Sequence, residues 1–324
     1  MRLPRRTLLY LAASVVALPV ASRQARAQAW PTGPVRIVVG FTPGGGADII
    51  ARLMGQLLSE RLGQPFVIEN RPGAGTNIAT EAVVRAPADG YTLLLAFSSN
   101  AINATLYDRL SFNFIRDIAP AASIMRAPNV VLVHPAVSAK TLPEFIALAK
   151  ANPGKLSMAS GGNGSTAHLA GELFKMMTGI NLVHVPYRGT APAITDLLGG
   201  QVQVSFSPLT GTIEYVRSGK LRALAVTSKL RSEALPDIPP VDDFVPGYEA
   251  SAWYGLAAPH NTPADIVDTL NSQINAALAD PRIKARLADL GGTPLAGTPA
   301  EFGKLIEEET HKWGKVIKFG GIKP

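Results

Sequence analysis

Two widely spaced glycine-rich turns constrain this chain more than any other feature. The first reads Phe41-Thr42-Pro43-Gly44-Gly45-Gly46-Ala47-Asp48 and the second Ser160-Gly161-Gly162-Asn163-Gly164-Ser165-Thr166. Each follows a short β-type run and opens an amphipathic helix. Such a turn presents bare backbone N–H groups at a helix N-terminus, where the helix dipole favours negative charge. Two of them suggest two lobes facing one anionic ligand. Neither has a lysine in the position a P-loop requires, and the chain contains no cysteine. The pattern points to binding rather than chemistry.

The N-terminus reads as a processing segment. Arg2, Arg5 and Arg6 precede an apolar stretch from Leu8 to Ala17, Pro19 closes it, and Ala25-Arg26-Ala27 supplies the small-x-small pattern of a signal peptidase site. Cleavage is expected after Ala27. The stretch is shorter than the roughly 20 residues that span a bilayer. Arg5-Arg6 followed by Thr7-Leu8-Leu9 fits a twin-arginine export signal and an ordinary secretory leader alike. Removing the leader changes the charge. The whole chain carries 31 Lys+Arg against 24 Asp+Glu, net +7, but five of the arginines lie in the leader, leaving net +2. That balance, with no basic run interleaved with aromatics, argues against a nucleic-acid partner. Without cysteine there are no disulfides, thiol nucleophiles or thiolate metal sites. His134, His184, His260 and His311 lack metal-ligand spacing.

The remaining 297 residues exceed the roughly 100–200 of a usual domain, which predicts two lobes. Val35 to Phe41 reads as a buried strand. Ala47 to Leu62 follows as a helix, with Ile49, Ile50, Leu53, Met54, Leu57, Leu58 and Leu62 on one broad face and Gly63 at its C-terminal cap. Phe66 to Glu69 (strand), Ile78 to Arg85 (helix) and Tyr91 to Phe97 (strand) complete a βαβαβ unit, the signature of a parallel sheet. A second run starts near Asn129. It has strands at 130–134, 156–159, 182–185, 202–206 and 221–227 and helices at 143–151, 168–178, 190–198 and 213–218. Trp253 to Ala257 returns the chain to the first lobe, and helices at 262–279, 281–290 and 299–317 finish it. The boundaries predicted are a leader at 1–27, a first lobe at 28–127, a second at 128–250, and 251–324 rejoining the first.

Four motifs in order carry a resemblance: Gly44-Gly45-Gly46-Ala47-Asp48, Glu69-Asn70-Arg71-Pro72-Gly73-Ala74-Gly75, Asp89-Gly90-Tyr91-Thr92-Leu93 and Val185-Pro186-Tyr187-Arg188-Gly189. From about Trp30 onward the chain resembles the Bug family, the extracytoplasmic substrate-binding proteins of tripartite tricarboxylate transporters. The resemblance implies an α/β, two-lobed periplasmic binding-protein fold, type II-like, each lobe a mostly parallel sheet covered by helices. It implies capture of a small organic carboxylate, held by backbone amides, hydroxyls and water. It further implies delivery to membrane subunits by a periplasmic monomer without cofactor. Two positions depart from the family pattern. Thr76 stands where a second glycine is common, and Ser207 where an aspartate is common.

The expected ligand set in the first lobe is Phe41, Thr42, Gly44, Gly45, Gly46, Ala47 and Asp48, with Ser98, Ser99 and Asn100 after the third strand. In the second lobe it is Ser160, Gly161, Gly162, Asn163, Gly164, Ser165, Thr166, His168, Tyr187, Gly189, Thr190, Phe206 and Ser207. Several have a structural alternative. Asp48 also reads as a helix cap and His168 as a packing residue. Phe41, Tyr187, Phe206 and Trp253 also read as core aromatics, and the Arg188 side chain as pointing outward. Two other functions use the same features. One is a sensor presenting its liganded form to a receptor. The other is an exported nucleotide-cofactor enzyme with Glu69 on a ribose, against which Ile49 breaks the Gly-x-Gly-x-x-Gly pattern.

Overall fold

The computed structural model describes residues 30–187 and 189–324, so the leader and Arg188 lie outside the described residues. The first sheet begins with β1 (Val35–Val39), helix α1 (Gly46–Leu62), β2 (Phe66–Asn70), α2 (Asn77–Val84) and β3 (Thr92–Phe97). β1 pairs in parallel with both β2 and β3. This is the predicted βαβαβ unit. The apolar face of α1 is buried through Ile50, Met54, Leu57 and Leu58, and Gly63 caps it in the left-handed conformation.

Two elements were not expected from the sequence: helix α3 (Ser98–Leu106) and strand β4 (Ile118–Ala127). The opening Ser-Ser-Asn of α3 resembles a turn, and β4 contains Pro120 and mostly small residues, so neither shows a clear period. Tertiary pairing decides β4, which lies between β10 (Ala252–Pro259) and β11 (Thr293–Pro294).

At Pro128 the chain enters the second sheet. There β5 (Asn129–Val133), α4 (Leu142–Ala151), β6 (Ser157–Ser160), α5 (Thr166–Thr178), β7 (Val183–Pro186), α6 (Thr190–Leu198), β8 (Val204–Pro208), α7 (Ile213–Arg217) and β9 (Arg222–Val226) follow in order. Strand order is β11-β4-β10-β3-β1-β2 in the first sheet and β7-β6-β8-β5-β9 in the second. Both sheets are mixed. β4 runs antiparallel to β10 and β11, β10 antiparallel to β3, and β5 antiparallel to β8 and β9, while β1 is parallel to β2 and β3 and β6 parallel to β7 and β8. The chain returns through β10 and closes with α8 (Ala264–Ala279), α9 (Pro281–Asp289) and α10 (Pro299–Gly320). Among the described residues no helix is long and apolar enough to cross a membrane.

The two passages between sheets lie side by side. Thr227, fully buried, accepts from the Asn129 N–H through Oγ1 at 2.8 Å, while Ala250 N–H donates to the Thr227 carbonyl at 3.0 Å. Helix α10 adds a third connection. Its Phe302 meets Trp253 edge-on at 5.5 Å, and its far end brings Gly320 to Glu172 on α5. One hydrophobic cluster therefore runs from Phe114 and Trp253 through Trp313 to Phe174 and Tyr248, spanning both sheets.

Close approach of α10 to the first sheet depends on Gly255. A Cβ there would lie 2.3 Å from Phe302 Cζ and 2.7 Å from the Ala122 carbonyl oxygen. The ring can shift but the backbone oxygen cannot. Gly255→Ala is expected to destabilise the protein by about 1–3 kcal/mol, measured as a lower denaturant midpoint with unchanged slope.

Candidate functional site

The carboxyl ends of β1, β3 and β6 converge on a cavity of about 520 Å³ between the sheets. Open α/β sheets bind ligands at this end of their strands. Its wall on the first sheet comprises Gly40, Phe41, Thr42, Pro72, Gly73, Gly75, Thr76, Phe97, Ser99, Asn103, Leu106 and Tyr107, and on the second Asn163, Gly164, Ser165 and Thr166, with Pro324 at the rim. Among the described residues no lining side chain is ionisable except the Tyr107 phenol. The polar groups are hydroxyls, carboxamides and backbone.

The walls touch where Leu106 of α3 meets Gly164. A Cβ on Gly164, which has φ of 69°, would lie 2.3 Å from Leu106 Cδ2. Phe41 packs edge-on against Phe97 at 5.2 Å, and Phe97 against Tyr254 at 4.8 Å, giving the cavity an aromatic side. Thr76 has φ of 87°, an uncommon conformation for a β-branched residue. Its side chain fills the space over Gly40, and its Oγ1 accepts from Asn100 Nδ2 at 3.1 Å and lies 3.2 Å from Ser99 Oγ. Asn103 Nδ2 donates to the Gly75 carbonyl at 2.6 Å, fixing the loop that carries Thr76.

Of the expected residues, Phe41, Thr42, Ser99, Asn163, Gly164, Ser165 and Thr166 line the cavity. Gly44, Gly45 and Gly46 are exposed beside it. They lead into α1, whose N-terminal cap, Gly45, contributes no side-chain hydrogen bond. Ala47 is buried. Asp48 is committed elsewhere: its carboxylate accepts from Gly44 N–H and Arg52 Nε, both at 2.9 Å, and from Asn70 Nδ2 at 3.0 Å. The Arg52 bond holds the carboxyl down to about 2, helped by Gly44 and Asn70 and opposed by burial. The Asp48 carboxylate thus builds the first turn.

Other expected residues likewise support the wall instead of lining it. Ser98 Oγ accepts from Trp253 N–H, and Asn100 Oδ1 from Phe97 N–H. Ser160 Oγ bonds His184 Nε2 at 2.7 Å. Gly161 packs on Gly189 and Thr190 at the start of α6, and Gly162 on the Tyr187 carbonyl. The Tyr187 hydroxyl donates to Asp196 Oδ2 at 2.6 Å; burial, then Asp196, raises its pKa to about 12. Phe206 is core, packed on Phe174, and Ser207 is buried against Ser205 Oγ at 2.7 Å. Trp253 is core. Glu69 pairs with Arg36 and Arg71, leaving no free carboxylate for a ribose. Gly40, Pro72, Gly73, Gly75, Thr76, Phe97, Asn103, Leu106, Tyr107 and Pro324 also line the cavity but were not in the expected set; Asn103, Leu106 and Tyr107 were missed because α3 was missed.

His168 is buried at the root of the second turn. Its ring stacks on His184 with centroids 3.6 Å apart, and its Nδ1 accepts from Gly164 N–H at 3.2 Å. Burial, then the neighbouring His168, lowers His184 to about 4.

A larger cavity of about 700 Å³ lies beside the crossing strands. Its inner charges are already paired: Glu249 with Arg126 at 2.9 Å and with Lys312 at 3.1 Å, and Lys312 also with Glu309. It meets no strand C-terminus with an open helix end, so the smaller cavity is the better ligand site. Among the described residues no His/Asp/Glu group could hold a metal ion.

Comparison with known proteins gives one consistent picture. The family model described as "Tripartite tricarboxylate transporter family receptor" (TctC) matches residues 50–322. Protein BugT of Bordetella pertussis is 36% identical over 318 residues, covering 97% of this chain and 96% of that one. The solved structure of R. palustris Rpa4515 with adipate is 37% identical with a TM-score of 0.79, covering 91% of this chain and 99% of that one. MatC (Rpa3494) of Rhodopseudomonas palustris with bound malate is 31% identical with a TM-score of 0.75, covering 89% and 100%.

Two predictions come from the buried ionisable groups. Asp48→Ala is expected to cost about 2–3 kcal/mol near neutral pH, the scale of hydrogen bonds to a charged group. The native carboxyl titrates below its usual 3.8, so this difference persists above that pH and fades as pH falls toward about 2. His184 acts in the same direction over a higher pH window. Between its ordinary 6.5 and about 4 the unfolded chain binds the extra proton, so stability falls as pH drops through that window. His184→Gln keeps a polar atom toward Ser160 and is expected to flatten the slope by about one proton in denaturant titrations across this range.

Proposed function

The chain belongs to the tripartite tricarboxylate transporter receptors, solute-binding proteins rather than enzymes, and from that premise we propose that it captures a small organic carboxylate in the cleft between its sheets. Dicarboxylates the size of malate and adipate, bound by the solved relatives, are the leading candidates. One observation carries this reading: a cavity of about 520 Å³ walled from both sheets by hydroxyls, carboxamides and backbone at strand ends, with no charged side chain among the described residues that line it. A carboxylate there is met by dipoles and hydrogen bonds, with no fixed countercharge to desolvate.

The mechanism is closure of two lobes. Residues 28–127 with 251–324 form one and 128–250 the other, hinged at the paired crossings near Asn129 and Thr227. The ligand favours the closed state because only there do Thr42, Ser99 and Thr76 face Asn163, Ser165 and Thr166 across it. The leader is cleaved after Ala27, and the mature monomer delivers its ligand to the membrane subunits of the transporter from the periplasm. The family is extracytoplasmic, which supports this placement.

Thermal unfolding of residues 28–324 against mono-, di- and tricarboxylates tests the reading. A ligand at about 100 times its Kd adds roughly 2.7 kcal/mol and raises the midpoint. No shift with any carboxylate, in folded protein free of carried-over ligand, would reject it. Gly164→Val obstructs the Leu106 contact on which closure depends, and is expected to weaken binding more than about tenfold, measured by calorimetry on protein that retains its native circular dichroism.

A further inference from the structure

Beneath the second-lobe turn lies a polar chain that ligand contact does not explain. Gly164 N–H donates to His168 Nδ1 at 3.2 Å, and His168 Nε2 lies 3.7 Å from Glu172 Oε1, which Lys175 Nζ also reaches at 2.8 Å. The His168 ring is stacked on His184 at an interplanar angle of 6°, and His184 Nε2 bonds Ser160 Oγ at the start of the same turn. His168 and Glu172 are only 4% and 3% exposed. A backbone N–H donating to Nδ1 requires a lone pair there, which fixes the neutral ring with its proton on Nε2.

We propose that His168 is the positioning residue of this cleft wall: its neutral ring holds the Gly164 N–H through Nδ1 and so sets the turn that faces a bound carboxylate. The inference rests on the cleft being the carboxylate site. Ser165 ties the rest of the turn, since its N–H and Oγ both donate to the Gly162 carbonyl and its Oγ accepts from His168 N–H. Gly164 occupies the left-handed region, and the ring nitrogen is what anchors its N–H. Removing the Nδ1 acceptor would leave the Gly164 N–H without that partner and free the turn to move.

The charged surroundings are simple. Glu172 and Lys175 share helix α5, and β7 contributes His184. Strands β6 and β8 bring no ionisable side chain, and α10 approaches Glu172 with the Gly320 backbone while its Lys315 and Lys318 remain exposed. The low titration of His184 keeps that ring neutral in mild acid, so the two stacked rings do not both carry charge there.

Asparagine and glutamine separate this role from simple packing. Asparagine places an acceptor near the Nδ1 position, whereas glutamine places its polar end near Nε2. His168→Leu and His168→Gln are expected to weaken adipate or malate binding about tenfold and to lose amide-exchange protection at Gly164. His168→Asn restores both. Equal behaviour of the Asn and Gln variants, or full Gly164 protection in His168→Leu, overturns the proposal. Gly164 protection is read without ligand. If wild-type protein binds neither diacid, the carboxylate reading fails for these compounds, and exchange alone still decides whether His168 holds the turn.

Discussion

The molecule depends on a small buried contact where the chain passes twice between its sheets. Thr227 donates its backbone N–H to the Asn129 carbonyl at 2.9 Å and accepts the Asn129 N–H on its hydroxyl, and its own carbonyl receives Ala250 N–H. Buried backbone groups must find partners, so the outgoing and returning strands are held together at the point where the sheets part. Helix α10 and the hydrophobic cluster that spans both sheets add to this tie, and the cleft lies at the strand ends on either side of it.

The two turns facing that cleft are built by different chemistry. In the first lobe a carboxylate inside the opening turn of α1, Asp48, folds back onto Gly44 N–H, and Arg52 and Asn70 neutralise and satisfy it. In the second, Ser165 caps α5 and an imidazole takes the Gly164 N–H. The first turn is held by a charge that persists to strong acid, the second by a hydroxyl and a ring nitrogen. The lobes share a topology and differ in what holds their walls still.

The βαβαβ unit, both glycine turns and the C-terminal helices were legible because each carries strong local signals: continuous apolar runs, glycine caps and a clear helical period. Helix α3 and strand β4 were not, since Ser98-Ser99-Asn100 reads as a turn and Pro120 with its alanines as a loop. Missing α3 removed Asn103, Leu106 and Tyr107 from the expected wall. The alternative readings of Asp48 as a helix cap and His168 as a packing residue match the backbone bonds their side chains make. Both are near the cleft and both are spent on the backbone, and no sequence pattern says which way a side chain turns. Thr76 stood out as a departure, and the structure gives it weight: it lines the cavity in a conformation that threonine seldom adopts. Ser207, the other departure, is buried away from it.

The absence of charged side chains from the cavity wall has a consequence for how such a protein changes over generations. A site built on an ion pair resists alteration, because replacing either partner strands a buried charge. Here the wall is made of small polar and aromatic groups on a backbone frame that sequence change barely disturbs. Exchanging a hydroxyl for a methyl, or threonine for glycine at position 76, reshapes the space without leaving an orphaned ion. One scaffold can thereby drift among many organic acids in small steps, each leaving a folded and closing protein behind it.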